Sequence, residues 1–217
     1  MWISNYGDLK NELKEYLFNN RFAARYDNYT KMFEADANSR LRVRQMEFTD
    51  VFVVTNGLWP LPPDYLLWRS VLWIRGGVAT PPVSPPYRDV TEMDYVHPAY
   101  LHADVIDRSY GRPTVFTIEG TQFRARIPTT GSDAYEFHYY AKIPTLIGSD
   151  LNSNWLLSEY PNAYLFGLMM EAAGQGRNVE MAQLYKARRD EVFQEIIQLS
   201  ALTTGATSPK VRVGEYF

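Results

Sequence analysis

Residues 154–173 read NWLLSEYPNAYLFGLMMEAA, a run dense in large apolar side chains that offers no nucleophile and no metal-ligand cluster. Tyr164, Leu165, Leu168, Met169, Ala172 and Ala173 recur at the spacing that puts them on one face of a helix. Pro161 suits the first helical position, where its missing N–H would have no partner anyway, and Gly174 with Gly176 is expected to stop the run. Such a segment packs rather than reacts.

Upstream of it the period is different. From about Gln45 the segments TDVFVVTN, LLWRSVLWIRGG, TVFTIEGTQFRARIP and YEFHYYAKIP are rich in β-branched and aromatic residues and are separated by Gly and Pro clusters. IEGTQF predicts a hairpin joined at Glu119, Gly120 and Thr121, and NGLWPLPPD predicts a turn-rich connection. ATPPVSPPYRD is read as an extended loop, because its prolines cannot sit in a ladder. Pro82 to Pro85 has PxxP spacing but no flanking specificity determinants, so a stiff surface loop is preferred over a polyproline ligand.

Helical spacing also governs both chain ends. Leu9, Leu13, Tyr16 and Leu17 share one face of a first helix; Phe22, Tyr26, Tyr29, Phe33, Ala37 and Leu41 form the stripe of a second. In VEMAQLYKARRDEVFQEIIQLSALTT the buried side is assigned to Ala182, Tyr185, Val192, Phe193, Ile196 and Leu199, with a Lys186–Asp190 pair on the wet side. The predicted fold class is α+β: a helical bundle formed by both chain ends with an inserted β-rich domain. The expected boundaries are 1–45 with 150–202 for the bundle, 46–149 for the insertion and 203–217 for an extended C-terminal tail.

Charge and composition narrow the function. Against 25 acidic residues stand 22 basic ones, a formal charge of −3, which lacks the footprint of a dedicated nucleic-acid binder. There is no cysteine, hence no disulfide framework or thiolate metal site. MWISNYGDLKNELKEYL carries no secretory pattern and no run has membrane-spanning length, so a soluble, unexported protein is expected. Aromatics reach 15%, which favours a binding or assembly role. Arg40, Arg42 and Arg44 fall where cations complement a helix C-terminus. With Glu47 and Asp50 close by they make a weak DNA patch, and they read as a solvated helix end or an inter-subunit contact.

Catalytic signatures are missing: no GxGxxG after a strand, no GxxxxGK[ST], no GxSxG and no HExxH. His97, His102 and His138 could be sketched into a metal site with Asp104 or Asp107, but HPAYLH is interrupted by Pro98 and its spacing does not put two imidazoles on one helical face. Carboxylate pairs such as Asp104 with Asp107 or Asp133 with Glu136 carry no sign of desolvation. No cofactor, metal or catalytic residue is assigned, and a hydrolase with a β-rich lid is the weaker competing reading.

The order of the segments is itself informative. SRLRVRQME, LPPDYLLWRSV, GRPTVFTIEGTQFRARIP, YEFHYYAKIPTL and NWLLSEYPNAYLFGLMMEAA resemble, in sequence and succession, the head-to-tail adaptor (connector) proteins of short-tailed bacteriophages over roughly residues 5–200. The resemblance implies a non-catalytic virion protein at the head–tail interface, assembled in the host cytoplasm. It also implies a homo-oligomeric ring, usually dodecameric, seated beneath the portal protein as a platform for tail nozzle or fibre proteins. DNA then passes through the channel without specific binding, no membrane is involved, and Arg40, Arg42 and Arg44 are assigned to the subunit interface. A tail-side nozzle or stopper ring not in contact with the portal is the alternative. In the tail ATSPKVRVGEYF, Pro209 breaks helix, Val211 and Val213 alternate as in a strand, and Tyr216 with Phe217 end the chain as aromatic anchors. These four residues are the expected partner-binding element.

Overall fold

The computed structural model describes residues 3–17, 24–53, 58–74, 90–103, 113–125 and 134–203. Among them the chain is mixed α and β, and it divides into two compact units. The first draws on the described residues of 1–46 and 143–217, the second on those of 47–142.

In the first unit α1 (Tyr6–Leu17) starts on a reciprocal cap. The Asp8 amide donates to Asn5 Oδ1 at 2.9 Å while the Asp8 carboxylate accepts from the Ser4 amide at 3.1 Å. Leu9 and Leu13 are fully buried, but Tyr16, expected on the same face, is 52% exposed. α2 (Tyr26–Arg40) buries Tyr26, Tyr29, Phe33 and Ala37, and the stripe continues into Leu41; Phe22 and the side chain of Leu17 lie outside the described residues.

The helix expected to open at Pro161 does so, and a separate short helix precedes it. Asn154 caps α4 (Trp155–Glu159) by accepting from the Leu157 amide at 2.9 Å. The chain breaks at Tyr160, and Pro161 opens α5 (Pro161–Gln175). Phe33 packs on Tyr164 at a 4.6 Å centroid distance and lies directly against Gly167, so the close approach of α2 and α5 depends on a residue without a side chain. α5 ends at Gln175 with Gly176 as its C-cap, as expected, and Arg177 at φ 60° makes the turn, with the Asn178 amide reaching back to the Ala173 carbonyl at 3.0 Å.

The long helix α6 (Val179–Thr203) buries Phe193 and Ile196 as expected, whereas Leu199 is 44% exposed and Ala182, Tyr185 and Val192 are half-buried. The deepest polar residue on that face is Arg189, which the hydrophobic spacing does not reveal.

The second unit holds β1 (Glu47–Phe52), β2 (Leu58–Pro60), β3 (Tyr65–Ile74), β4 (Val90–Glu92), β5 (Asp94–Tyr95), α3 (Pro98–Ala103), β6 (Val115–Glu119), β7 (Gln122–Ala125) and β8 (Ala134–Ala141). They form two four-stranded sheets, ordered β1-β8-β3-β4 and β2-β7-β6-β5. β8 alternates cleanly, turning Tyr135, Phe137 and Tyr139 inward. With Phe52, Trp73, Phe116 and Phe123 they build an aromatic core shared by both sheets.

The β6–β7 hairpin turns at Gly120 and Thr121 as predicted, with Gly120 at φ +59°. The connection NGLWPLPPD is corrected: it contains β2, paired with β7 from Leu58↔Arg124 to Pro60↔Gln122. Proline is tolerated there because β2 is an edge strand, and Trp59 stacks on Phe52 with ring centroids 3.7 Å apart. Pro98 likewise begins α3 rather than interrupting a helix. The segment 79–89 and the tail 204–217 lie outside the described residues.

Candidate interaction surfaces

α2 and α6 are joined by a closed ring of alternating charge. Arg40 pairs with Asp36 at 3.0 Å and with Asp190 at 2.8 Å; Arg189 pairs with the same two carboxylates at 3.0 and 2.8 Å. The Arg189 side chain is only 3% exposed and lies over the Phe193 ring, so its charge depends on these partners. Burial acts to raise the Asp190 pKa, but Arg189 and Arg40 outweigh it and hold the carboxyl below its ordinary range. Asp190 is therefore engaged with Arg40 and Arg189 rather than with Lys186.

The three arginines singled out by sequence thus have different surroundings. Arg40 belongs to the ion-pair ring. Arg42 donates to the Asn38 and Leu41 carbonyls, satisfying the C-terminus of α2. Arg44 is exposed, and its backbone amide donates to Ser200 Oγ on α6 at 3.1 Å. Val211, Val213, Tyr216 and Phe217 fall in the undescribed tail.

A second polar group is buried between α2, α5 and the segment before α4. Glu34 Oε1 accepts from the Leu146 amide at 2.9 Å and from the Tyr164 hydroxyl at 3.4 Å. That hydroxyl accepts from Asn154 Nδ2 at 2.7 Å, and Asn154 Nδ2 also donates to the Pro144 carbonyl at 2.7 Å. Burial pushes the Glu34 carboxyl up despite these donors, and it pushes Tyr164 up as well. Glu34 neighbours Phe33 in the stripe, and nothing in its spacing distinguishes it from an exposed glutamate.

In the second unit β1 is an edge strand, hydrogen-bonded to β8 on one side only among the described residues. It exposes Phe48 at 56%, Val51 at 44%, and just beyond its end Val53 at 51%. On the sheet face carrying Thr49 and Val51, Thr49 Oγ1 lies 2.8 Å from His138 Nδ1, His138 Nε2 lies 3.1 Å from Glu136, and Arg69 pairs with Glu47. In this hydroxyl–imidazole–carboxylate chain Thr49 is exposed while His138 and Glu136 are partly buried, and β8 is paired along both sides. The arrangement gives Thr49 no backbone-donor cradle supplied by β8 for an oxyanion, so it reads as cross-strand bonding.

His97 is exposed and lies beside α3, where its Nδ1 accepts from the Ala99 amide at 3.3 Å. The side chain of His102, and Asp104, Asp107 and Asp133, lie outside the described residues. Among the described residues no group of three metal-ligating side chains converges, and no helix is long and apolar enough to cross a membrane.

Residues 4–213 match the family model of the SU10 adaptor protein, a span that takes in nearly the whole chain. The chain belongs to the SU10 adaptor protein family. No curated protein matches it. Membership makes the chain a bacteriophage adaptor, a structural component that associates with other phage structural proteins, in agreement with the resemblance read from the five ordered segments.

Proposed function

We propose that this adaptor forms a homo-oligomeric ring, a dodecamer, that seats beneath the portal protein at the head–tail interface of the virion, continues the DNA channel and presents a platform to tail nozzle or fibre proteins. The observation that carries the reading is the family match running from residue 4 to residue 213, through elements of both units. In this reading the helices of both chain ends form the bundle of the ring and the β-rich unit is inserted between them. The subunit acts without catalysis and is assembled in the host cytoplasm.

Three features support the reading physically. Ring closure needs two different, complementary faces on each copy, and the exposed Arg44 at the α2 exit is well placed to contribute to one of them. Arg40 and Arg42 act in the same interface by holding the α2 terminus in place. A formal charge of −3 suits a channel wall, because a lysine-rich lumen would retain DNA in transit. The tail that carries Val211, Val213, Tyr216 and Phe217 supplies the docking element toward the portal.

The test is electron microscopy of the purified protein with and without the portal of the same phage, together with co-sedimentation. A closed ring attached to the portal is expected. Binding to tail proteins alone, with none to portal, replaces this reading by that of a tail-side nozzle or stopper ring.

A further inference from the structure

We propose that the open edge of β1 receives the C-terminal segment of an adjacent copy. Lys210–Val213 adds to the β1-β8-β3-β4 sheet as one more strand, and this sets Tyr216 and Phe217 beyond the end of the sheet, toward the portal. The inference rests on the ring reading above and names the surface that holds the tail.

The backbone of β1 is turned for such a contact. The Val51 amide donates to Asp50 Oδ1 at 2.8 Å, a side-chain acceptor on its own strand. Thr49 and His138, directly opposite in the register, bond through their side chains at 2.8 Å, as suits the closer, non-hydrogen-bonded pairs of an antiparallel ladder. Both observations put the N–H and C=O groups of Glu47, Thr49 and Val51 on the side away from β8.

Proteins blunt such edges with proline, charged side chains or a bulge. β2, an edge of the other sheet, carries Pro60; β1 reads EFTDVF, and its register with β8 is unbroken over six pairs. Among the described residues no strand covers this edge, which carries Glu47 and Asp50 beside the exposed Phe48, Val51 and Val53.

The tail has the complementary pattern. Lys210 and Arg212 alternate with Val211 and Val213. With the valines on the Phe48 side of the sheet, which also carries Asp50, the two cations fall on the face of Thr49 and Val51, where Glu47 pairs with Arg69 and Glu136 with His138. The seven residues from Thr203 to Lys210 span at most about 25 Å. A contact in which each copy donates one strand and accepts one is heterologous, and repeated around an axis it closes a ring.

Because the chain has no cysteine, the contact can be read by cross-linking. Phe48→Cys and Val211→Cys copies are mixed at high concentration, with and without portal, and treated with a short bismaleimide. A covalent dimer is expected from the mixture and from neither variant alone. The double variant is expected to give a ladder of multimers.

Arg212→Glu should lower the cross-link yield at least tenfold. Val51→Pro should do the same with an unchanged melting temperature, since that amide is not in the β1–β8 ladder. Tyr216→Ala with Phe217→Ala should keep the cross-link and lose portal co-sedimentation. No cross-link in either condition, or a double variant that links only within one chain, overturns the proposal. A cross-link between chains without any ring leaves the strand contact standing and removes the ring reading.

Discussion

A Cβ placed on Gly167 would lie 2.1 Å from Cδ2 of Phe33, well inside contact distance. Phe33 cannot withdraw freely, because it also packs on Tyr164 and Phe193. Gly167→Ala is therefore expected to destabilise the helical unit by about 1–3 kcal/mol, even though alanine favours helix. Urea unfolding followed by far-ultraviolet circular dichroism checks it, and an unchanged midpoint shows that α2 and α5 can move apart.

Arg189 should be the costliest single charge to remove. Arg189→Met keeps the packing on Phe193 but leaves Asp36 and Asp190 to share Arg40 alone. Both carboxylates are about one-third exposed, so the loss should fall below that of a fully buried pair, at about 2 kcal/mol. Arg188→Met, which removes a pair exposed on both sides, is the control and should change the melting temperature little.

Glu34 and Asp190 should give pH dependences of opposite sign. The folded-state pKa of Glu34 is raised, so the fold binds its proton more tightly than the unfolded chain does. Its contribution is full below the ordinary glutamate value of 4.5 and is lost as pH rises through the raised value. Asp190 is depressed, so its contribution is present above the ordinary aspartate value of 3.8 and is lost as pH falls through the lowered one. Glu34→Gln keeps an acceptor for Leu146 and Tyr164 and should raise stability at neutral pH relative to pH 4. Equal unfolding free-energy differences for variant and parent at the two pH values would sink this assignment.

Arg177→Gly is expected to stabilise the protein. A non-glycine residue at φ 60° carries a steric cost of about 1 kcal/mol that glycine avoids, and Arg177 is exposed. Differential scanning calorimetry should show a higher transition; a lower one means that the arginine side chain makes a stabilising contact in solution.

Arg44→Ala should weaken ring assembly on the portal while leaving the melting temperature unchanged. Replacing Arg40, Arg42 and Arg44 together should lower both, because Arg40 closes the ion-pair ring and Arg42 satisfies the end of α2. Comparing assembly by sedimentation with stability by calorimetry separates the two effects. Normal assembly of the Arg44 variant makes that residue a solvated helix end.

Periodicity made most of the elements legible. The change of period near Gln45 precedes β1 by two residues, and the return of helical spacing at Asn154 coincides with the cap of α4. Leu9, Phe33, Tyr164 and Phe193 were readable as core because burial repeats with the helix turn. What stayed hidden depends on partners far along the chain. Leu58–Pro60 looks like a turn until β7 offers a ladder, and Arg189 looks like a solvated cation until α2 brings Asp36 beside it. Tyr16 shares the spacing of Leu9 and Leu13 yet is 52% exposed. The candidate surfaces were legible as residue types, since Arg40, Arg42 and Arg44 stand out as a cluster, but their different tasks are set by which acceptors lie within reach.

β1 is peripheral in its sheet, yet its last residue, Phe52, is clasped inside by Trp59 and stacked near Tyr135. A tension applied along this strand is therefore resisted by all six β1–β8 pairs together, in shear, with an aromatic bolt at the end. Peeling the strand sideways would break the same pairs one after another at much lower force. A copy held through β1 is thus gripped at a joint that yields late when pulled lengthwise and early when lifted from the side.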